Sequence, residues 1–350
     1  MQSTGVFFET HQAASRLQHT WPQRAWLIGF LVALLALPAA VGPYILGVLT
    51  VMFITLMAVY GLQITVGMAG QVNVAQSAFV GVGAFAAAKL SLSGVPFWLV
   101  IPLAGIVAGL ASIVFALPAM RVKGFYLALT TLAAQVMFPI VVIGLPTSWL
   151  GGTNGIAVEP IEIGGYMLGA ASDMYYLTLA GALVASVFAF NLNRSRVGRA
   201  FRAIRDNDIA AEVMGINVKR YKILAFVAGS FLAGMAGALF AYYLRYVTTE
   251  QFTLFQSIWY LGMLIVGGLA SPLGAILGTV FITILQESLH SLGGILLNMD
   301  INLGGGFIFA ATNVMLGAVI ILTLILEPRG LLRRWQVMKS IYRLWPFPHT

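Results

Sequence analysis

Long apolar runs, interrupted by Gly, Pro and short charged stretches, set the organisation of this chain. A helix that crosses a bilayer needs about 20 predominantly apolar residues. Runs of that kind predict spans near 25–41, 44–66, 72–91, 97–117, 124–145, 173–192, 223–246, 256–269, 273–290 and 308–326. Two of these read equally well as half-helices or re-entrant segments: 72–91, which opens among Gln71, Asn73, Gln76 and Ser77, and 256–269, which is short. A transmembrane β-barrel would show short alternating segments instead. The expected fold class is all-α, a polytopic membrane protein of about ten transmembrane or re-entrant helices. Residues 1–24 form an N-terminal tail, 25–326 the transmembrane region and 327–350 a C-terminal tail.

Composition agrees with the pattern. Of 350 residues, 60% are hydrophobic and 9% charged, against roughly 45–50% and about 25% in ordinary globular domains. The mean hydropathy is +0.93. A soluble chain of this size would need more charge to cover its outside, so a soluble enzyme, a disordered protein and a fibrous repeat are excluded. The 38 glycines fall at spacings such as Gly105/Gly109 and Gly274/Gly278, which let helices approach closely in lipid. The absence of Cys excludes disulfides, thiolate metal sites and thiol catalysis.

The net charge of +8 would raise the question of nucleic acid in a soluble protein, but its distribution answers a different question. If the spans alternate, one side collects every Lys and Arg except Lys89 and Arg245. The positive-inside rule then puts both termini in the cytoplasm. The loop 146–172 carries Glu159 and Glu162 and no basic residue, and 291–307 carries Asp300 and none, so both are expected outside. Met1–Gln23 shows no cleavable signal pattern, and the first span is expected to act as an uncleaved signal.

The segment 194–222 is dense in Arg and Lys. Each such residue would cost about 2.5–3.5 kcal/mol at the bilayer centre, so the segment is expected in the cytoplasm. Within it Asp208 reads as an N-cap and Gly215 as a C′ residue, which predicts a helix over Ile209–Met214. A helix of under two turns is held only by packing. Ile209, Val213 and Met214 offer an apolar surface to a protein partner; a basic loop that satisfies anionic headgroups is the alternative.

The string from Arg202 to Leu239, RAIRDNDIAAEVMGINVKRYKILAFVAGSFLAGMAGAL, resembles the permease subunits of bacterial ABC importers for branched-chain amino acids, of the LivM type. GMAGQVNVAQSAFVGVGAF at 67–85, GGTNGI at 151–156 and EPRGLL at 327–332 are similar to that family as well, although members often carry His-Ala where this chain has Gln76-Ser77. The resemblance implies that Ala210, Ala211, Glu212 and Gly215 mark an amphipathic cytoplasmic coupling helix that sits in a cleft of an ATPase subunit. With them, Asp208 and Met214 belong to the ATPase-coupling set, and Arg199, Arg202 and Arg205 orient the segment. The implied partners are cytoplasmic ATP-binding subunits, a second permease subunit, a periplasmic substrate-binding protein and the bilayer, with ATP bound by the partners and no cofactor here.

A zwitterion crossing about 30 Å of hydrocarbon needs fixed dipoles along its path, and half-helix ends supply them. The Gly-rich interruptions at 67–77 and 267–278 point to such a path, with Gln71, Asn73, Gln76 and Ser77 as its candidate lining; interhelical hydrogen bonding is the alternative. Thr153 and Asn154 on the external loop belong either to a gate or receptor contact or to a plain turn. Glu287 and His290 are ionisable residues in an apolar neighbourhood near a span end.

Competing classes fit less well. An ion-coupled secondary transporter would show acids within its spans, and these are nearly free of them. Asp206-Asn207-Asp208 is a lone DxD beside a helix start, which suits a cap better than a metal site. No Walker A string occurs, so any ATPase is another polypeptide. Importers of urea, amides or aromatic acids have similar permeases and remain the alternative substrate class.

Overall fold

The computed structural model describes residues 21–119, 124–269, 271–298, 304–326 and 330–344. Arg16, Arg121, Lys123, Asp300 and the Glu327–Arg329 part of EPRGLL lie outside them. The described residues are mostly helical, in the order α1 (Trp21–Ala36), α2 (Pro43–Leu62), α3 (Gln76–Leu92), α4 (Phe97–Ala119), α5 (Phe125–Gly144), α6 (Ala171–Arg194), α7 (Arg196–Asp206), α8 (Asp208–Val213), α9 (Val218–Leu244), α10 (Leu254–Gly267), α11 (Pro272–Asn298), α12 (Gly304–Leu326) and α13 (Leu331–Leu344). Among the described residues, six helices are long and apolar enough to cross a membrane, and α1, α3 and part of α12 are shorter apolar helices. α13 occupies most of the segment read from sequence as a tail.

α9 forms the centre, packed against α2, α3 and α4, with α6 beyond α2. Its buried face is rich in small residues, with Gly229, Ala233, Gly234, Ala236, Gly237 and Ala238 set among Phe226, Leu232, Leu239 and Tyr242. Lipid tails are as apolar as Leu, so helices in a bilayer associate by close fit rather than by hydrophobic contrast. The fit is backbone on backbone. A Cβ added to Gly83 would overlap Gly234, one added to Gly237 would overlap the Val80 carbonyl, and Gly61 and Gly229 face one another in the same way. Two-thirds of α2 and α9 is buried (67% each), against 33% of α5, α6 and the α11 span, whose outward faces carry exposed Ile140, Val184 and Ile284. That apolar exterior suits lipid.

α10 and α11 form a second unit, a hairpin closed through Gly267, Gly274 and Gly278. The turn between them meets two other segments: Gln63 Nε2 donates to the Leu269 carbonyl (2.7 Å), and Gly330, in the left-handed region at φ +74°, lies against the Gly268 backbone. We refer to this end, which also carries α7 and α8, as the basic end.

The opposite end is built from short β pairs. β1 (Ile156–Ala157) pairs antiparallel with β4 (Tyr246–Val247), and β2 (Ile161–Ile163) pairs with β3 (Tyr166–Leu168) across Gly164-Gly165, both at positive φ.

Candidate functional site

Two arrangements carry the polar chemistry. The first is a break in helical structure at mid-depth. α2 continues as a π-helical turn, Gln63–Met68, and the chain then runs without helix to the start of α3. Gln76 Nε2 donates to the carbonyl of Ala58 at 2.7 Å. Ala58 lies ten residues before Met68, about 15 Å back along the helix at 1.5 Å per residue, so α3 starts in the middle of the bundle rather than at its end. This explains the ambiguity of the run at 72–91: it is a 17-residue helix, shorter than α2 and α4, preceded by non-helical backbone that re-enters the bundle.

The four candidate path residues are brought together there and are buried at 0–3% exposure. Asn73 Oδ1 accepts from the Ala75 N–H (3.0 Å) and its Nδ2 donates to Gln76 Oε1 (3.1 Å), while Gln71 Nε2 donates to the Lys222 carbonyl (3.3 Å). Side chains of other helices meet three backbone N–H groups around the start of α3. The Val74 N–H donates to Thr131 Oγ1 (3.1 Å), the Ser77 N–H to Ser257 Oγ (2.9 Å) and the Ala78 N–H to Gln135 Oε1 (2.9 Å). Thr131, Gln135 and Ser257 were not picked out from sequence. Their signal was a polar residue, alone as Gln135 or paired with Thr130 or Gln256, in an otherwise apolar run, visible in the string but without a partner to give it meaning.

The second break preceding a short helix lies before α10, at 245–253, and not at 267–278 as the sequence suggested. Within the Gly-rich stretch, Gly267 ends α10 and Gly274 and Gly278 lie in the first turns of α11, where Gly is needed because the two helix backbones touch. Gln135, near the middle of α5, donates from Nε2 to the Phe252 carbonyl (2.8 Å), so α10 too starts at mid-depth.

The second arrangement is the elbow α7–α8. Ser195 caps α7, accepting from the Gly198 N–H (3.1 Å), and Phe201 buries its ring edge-on to Tyr221, with centroids 6.2 Å apart. The cap of α8 is Asn207 and not Asp208: its Oδ1 accepts from the N–H groups of Ile209 and Ala210, both at 3.1 Å. An amide there is as good a cap as a carboxylate, which leaves Asp208, the first helical residue, to pair with Lys222 at 3.5 Å. The helix therefore covers Asp208–Val213 rather than Ile209–Met214. Gly215 follows at φ +86°, as its C′ reading requires. Asp206 pairs with Arg205 at 3.0 Å, so the two acids of the DxD triplet serve different cations.

Ala211 is buried, and Glu212 is exposed. Ile209, Val213 and Met214 stand 68, 82 and 83% exposed at the tip of the elbow. Arg202 is half-buried and Arg199 exposed. Arg205 turns inward: its Nη1 donates to the carbonyl of Gly67 at 2.9 Å, and its aliphatic stem lies against Gly70, where a Cβ would come within 2.6 Å of Arg205 Cγ. Gly70 has φ +67°, a second reason for glycine there. The elbow is thus fastened to the last turn of the π-helical segment.

At the opposite end, Thr153 and Asn154 form a 3₁₀ turn, and the Asn154 carbonyl accepts from the Tyr246 hydroxyl. Glu287 accepts from the Tyr44 hydroxyl, and His290, nearly one turn further on, is exposed.

The described residues thus form a polytopic helical membrane protein with helix breaks inside the bundle and an exposed elbow at one end. Residues 44–324 match the family described as branched-chain amino acid transport system, permease component, and the chain belongs to it. It is 30% identical over 338 residues to the high-affinity branched-chain amino acid transport system permease protein LivM of Escherichia coli (strain K12), covering 89% of this chain and 76% of that one; the LivM of Salmonella typhimurium (strain LT2) is similar to the same degree. The autoinducer 2 import system permease protein LsrC of Enterobacter sp. (strain 638) is 32% identical over 130 residues, 36% of this chain and 35% of its own. No solved structure gives a significant match. The chain is a multi-pass ABC transporter permease of the branched-chain amino-acid type, not an enzyme.

Proposed function

We propose that this chain forms part of the translocation pathway of an importer for branched-chain or other hydrophobic amino acids in a bacterial inner membrane, with both termini and the basic end in the cytoplasm. A separate ATPase binds and hydrolyses the ATP and drives alternating access. A second permease subunit, identical or homologous, completes the pathway, and a periplasmic binding protein delivers substrate to the end that carries β1–β4. Resemblance over most of the chain to the two LivM proteins supports the substrate class.

One observation carries the mechanism: the tip of the elbow exposes Ile209, Val213 and Met214 while its base, through Arg205, grips the Gly67 carbonyl beside the re-entrant backbone. Ala210, Glu212, Met214 and Gly215 form the ATPase-facing surface; Ala211, buried beneath it, Asp208 and Arg205 hold it to the bundle. A push on the tip reaches Gln71, Asn73, Gln76 and Ser77 through covalent chain and one guanidinium. These four lie closed in the present conformation and line the path when it opens.

Glu212→Lys or Gly215→Trp is expected to abolish co-purification of the ATPase and ATP-dependent uptake, while leaving the protein inserted in the membrane. Wild-type recovery of both by either variant would refute the assignment. Uptake that survives ATP depletion under an intact ion gradient would favour an ion-coupled carrier. A panel of amino acids, urea and short amides given to the reconstituted complex distinguishes the substrate classes.

A further inference from the structure

α3 and α10 are both short, and they run in opposite directions from mid-depth, α3 toward the β-paired end and α10 toward the basic end. Their first turns meet. Ser77, the second residue of α3, donates its N–H to the hydroxyl of Ser257 in the first turn of α10 (2.9 Å), and that hydroxyl donates to Gln135 Oε1 (3.0 Å). The same Oε1 accepts from the Ala78 N–H (2.9 Å), and Gln135 Nε2 reaches the Phe252 carbonyl just ahead of α10 (2.8 Å). A helix N-terminus carries roughly half an elementary positive charge, so two such ends converge on one point. The groups that satisfy their N–H donors are neutral. Beside them the Ser77 hydroxyl is fully buried and has no hydrogen-bond partner.

We infer that this junction is a carboxylate subsite, the point on the route where the acid group of the cargo is held. In the closed arrangement Ser257 and Gln135 occupy the Ser77 and Ala78 N–H donors. When the route opens, a carboxylate displaces them and receives a third bond from the Ser77 hydroxyl, which has no other use in the closed state. The two positive helix ends favour an anion over the neutral amide oxygen and hydroxyl that stand there at rest. The inference rests on the amino-acid importer reading and deepens it, because urea and simple amides carry no carboxylate.

The test uses the complete complex, with ATPase, partner permease and binding protein, reconstituted in liposomes and supplied with radiolabelled leucine. Ser77→Ala is expected to assemble normally with an unchanged or raised unfolding temperature, since it removes a buried unpartnered hydroxyl, and to lower leucine uptake about tenfold. Ser77→Thr, which keeps the hydroxyl, is expected to retain most of the uptake. Ser77→Asp places a permanent carboxylate between the two helix ends and is expected to assemble, to leave ATP hydrolysis measurable and to block uptake. Wild-type uptake by Ser77→Ala or by Ser77→Asp overturns the subsite while leaving the importer reading intact. A wild-type complex that carries no carboxylate-bearing solute overturns both.

Discussion

The bundle around α9 and the elbow α7–α8 solve opposite problems. In the bundle, Gly83, Gly234 and Gly237 give up side chains so that backbones meet, and almost nothing can be added. In the elbow, a six-residue helix is held by an Asn cap, one ion pair and a buried Ala, and its largest side chains project outward. The bundle's sequence is constrained by what it must exclude, while the elbow leaves Ile209, Val213 and Met214 open to solvent.

This contrast can be broken most severely inside the bundle and the α10–α11 hairpin. Gly278→Leu would drive a side chain into the Met263 carbonyl and the Gly267 backbone, and is expected to cost about 4 kcal/mol or more. Loss of folded protein after membrane extraction, followed by size-exclusion chromatography, would register it; a normally folded Gly278→Leu would show that the hairpin is not a close-packed unit.

A smaller effect is expected where the two regions join. Arg205→Ala removes the bond to Gly67 and the stem on Gly70, for about 1.5 kcal/mol in thermal unfolding, discounted for the partial exposure of the guanidinium. ATPase co-purification should persist while uptake per ATP hydrolysed falls severalfold. Arg205→Lys should not rescue it, because one ammonium cannot reproduce a fork that serves Gly67 and Asp206 together.

Asn207→Ala is expected to cost about 1 kcal/mol, confined to the elbow and visible as faster amide exchange at Ile209 and Ala210, with Asn207→Asp close to wild type. Met214→Ser is expected to shift stability by less than about 0.5 kcal/mol, yet to weaken ATPase binding in a pull-down more than Asn207→Ala does. Unchanged binding would remove the exposed tip from the interface.

Long spans were readable in the string because an uninterrupted apolar run has few alternative fates, and the charge-rich elbow was readable because Arg and Lys cannot sit in hydrocarbon. What escaped depended on contacts across helices. Asn207 and Asp208 are both good caps; Asn207 takes the role through the Ile209 and Ala210 N–H groups, while Asp208 pairs with Lys222. Gly267, Gly274 and Gly278 look like a broken helix in one dimension and prove to be two helices pressed together. Thr131, Gln135 and Ser257 became interpretable only once α3 and α10 were seen to begin beside them.

The two-residue β1–β4 ladder, with Tyr246 bonded to Asn154, sits only a few residues before α10, and Leu269 just beyond α10 accepts from Gln63. The same half-length rod is therefore tethered at both faces of the protein. A load on the 151–157 loop and a load on the elbow would therefore reach opposite ends of α10, the first through β1–β4 and the second through Gly67, Gln63 and Leu269.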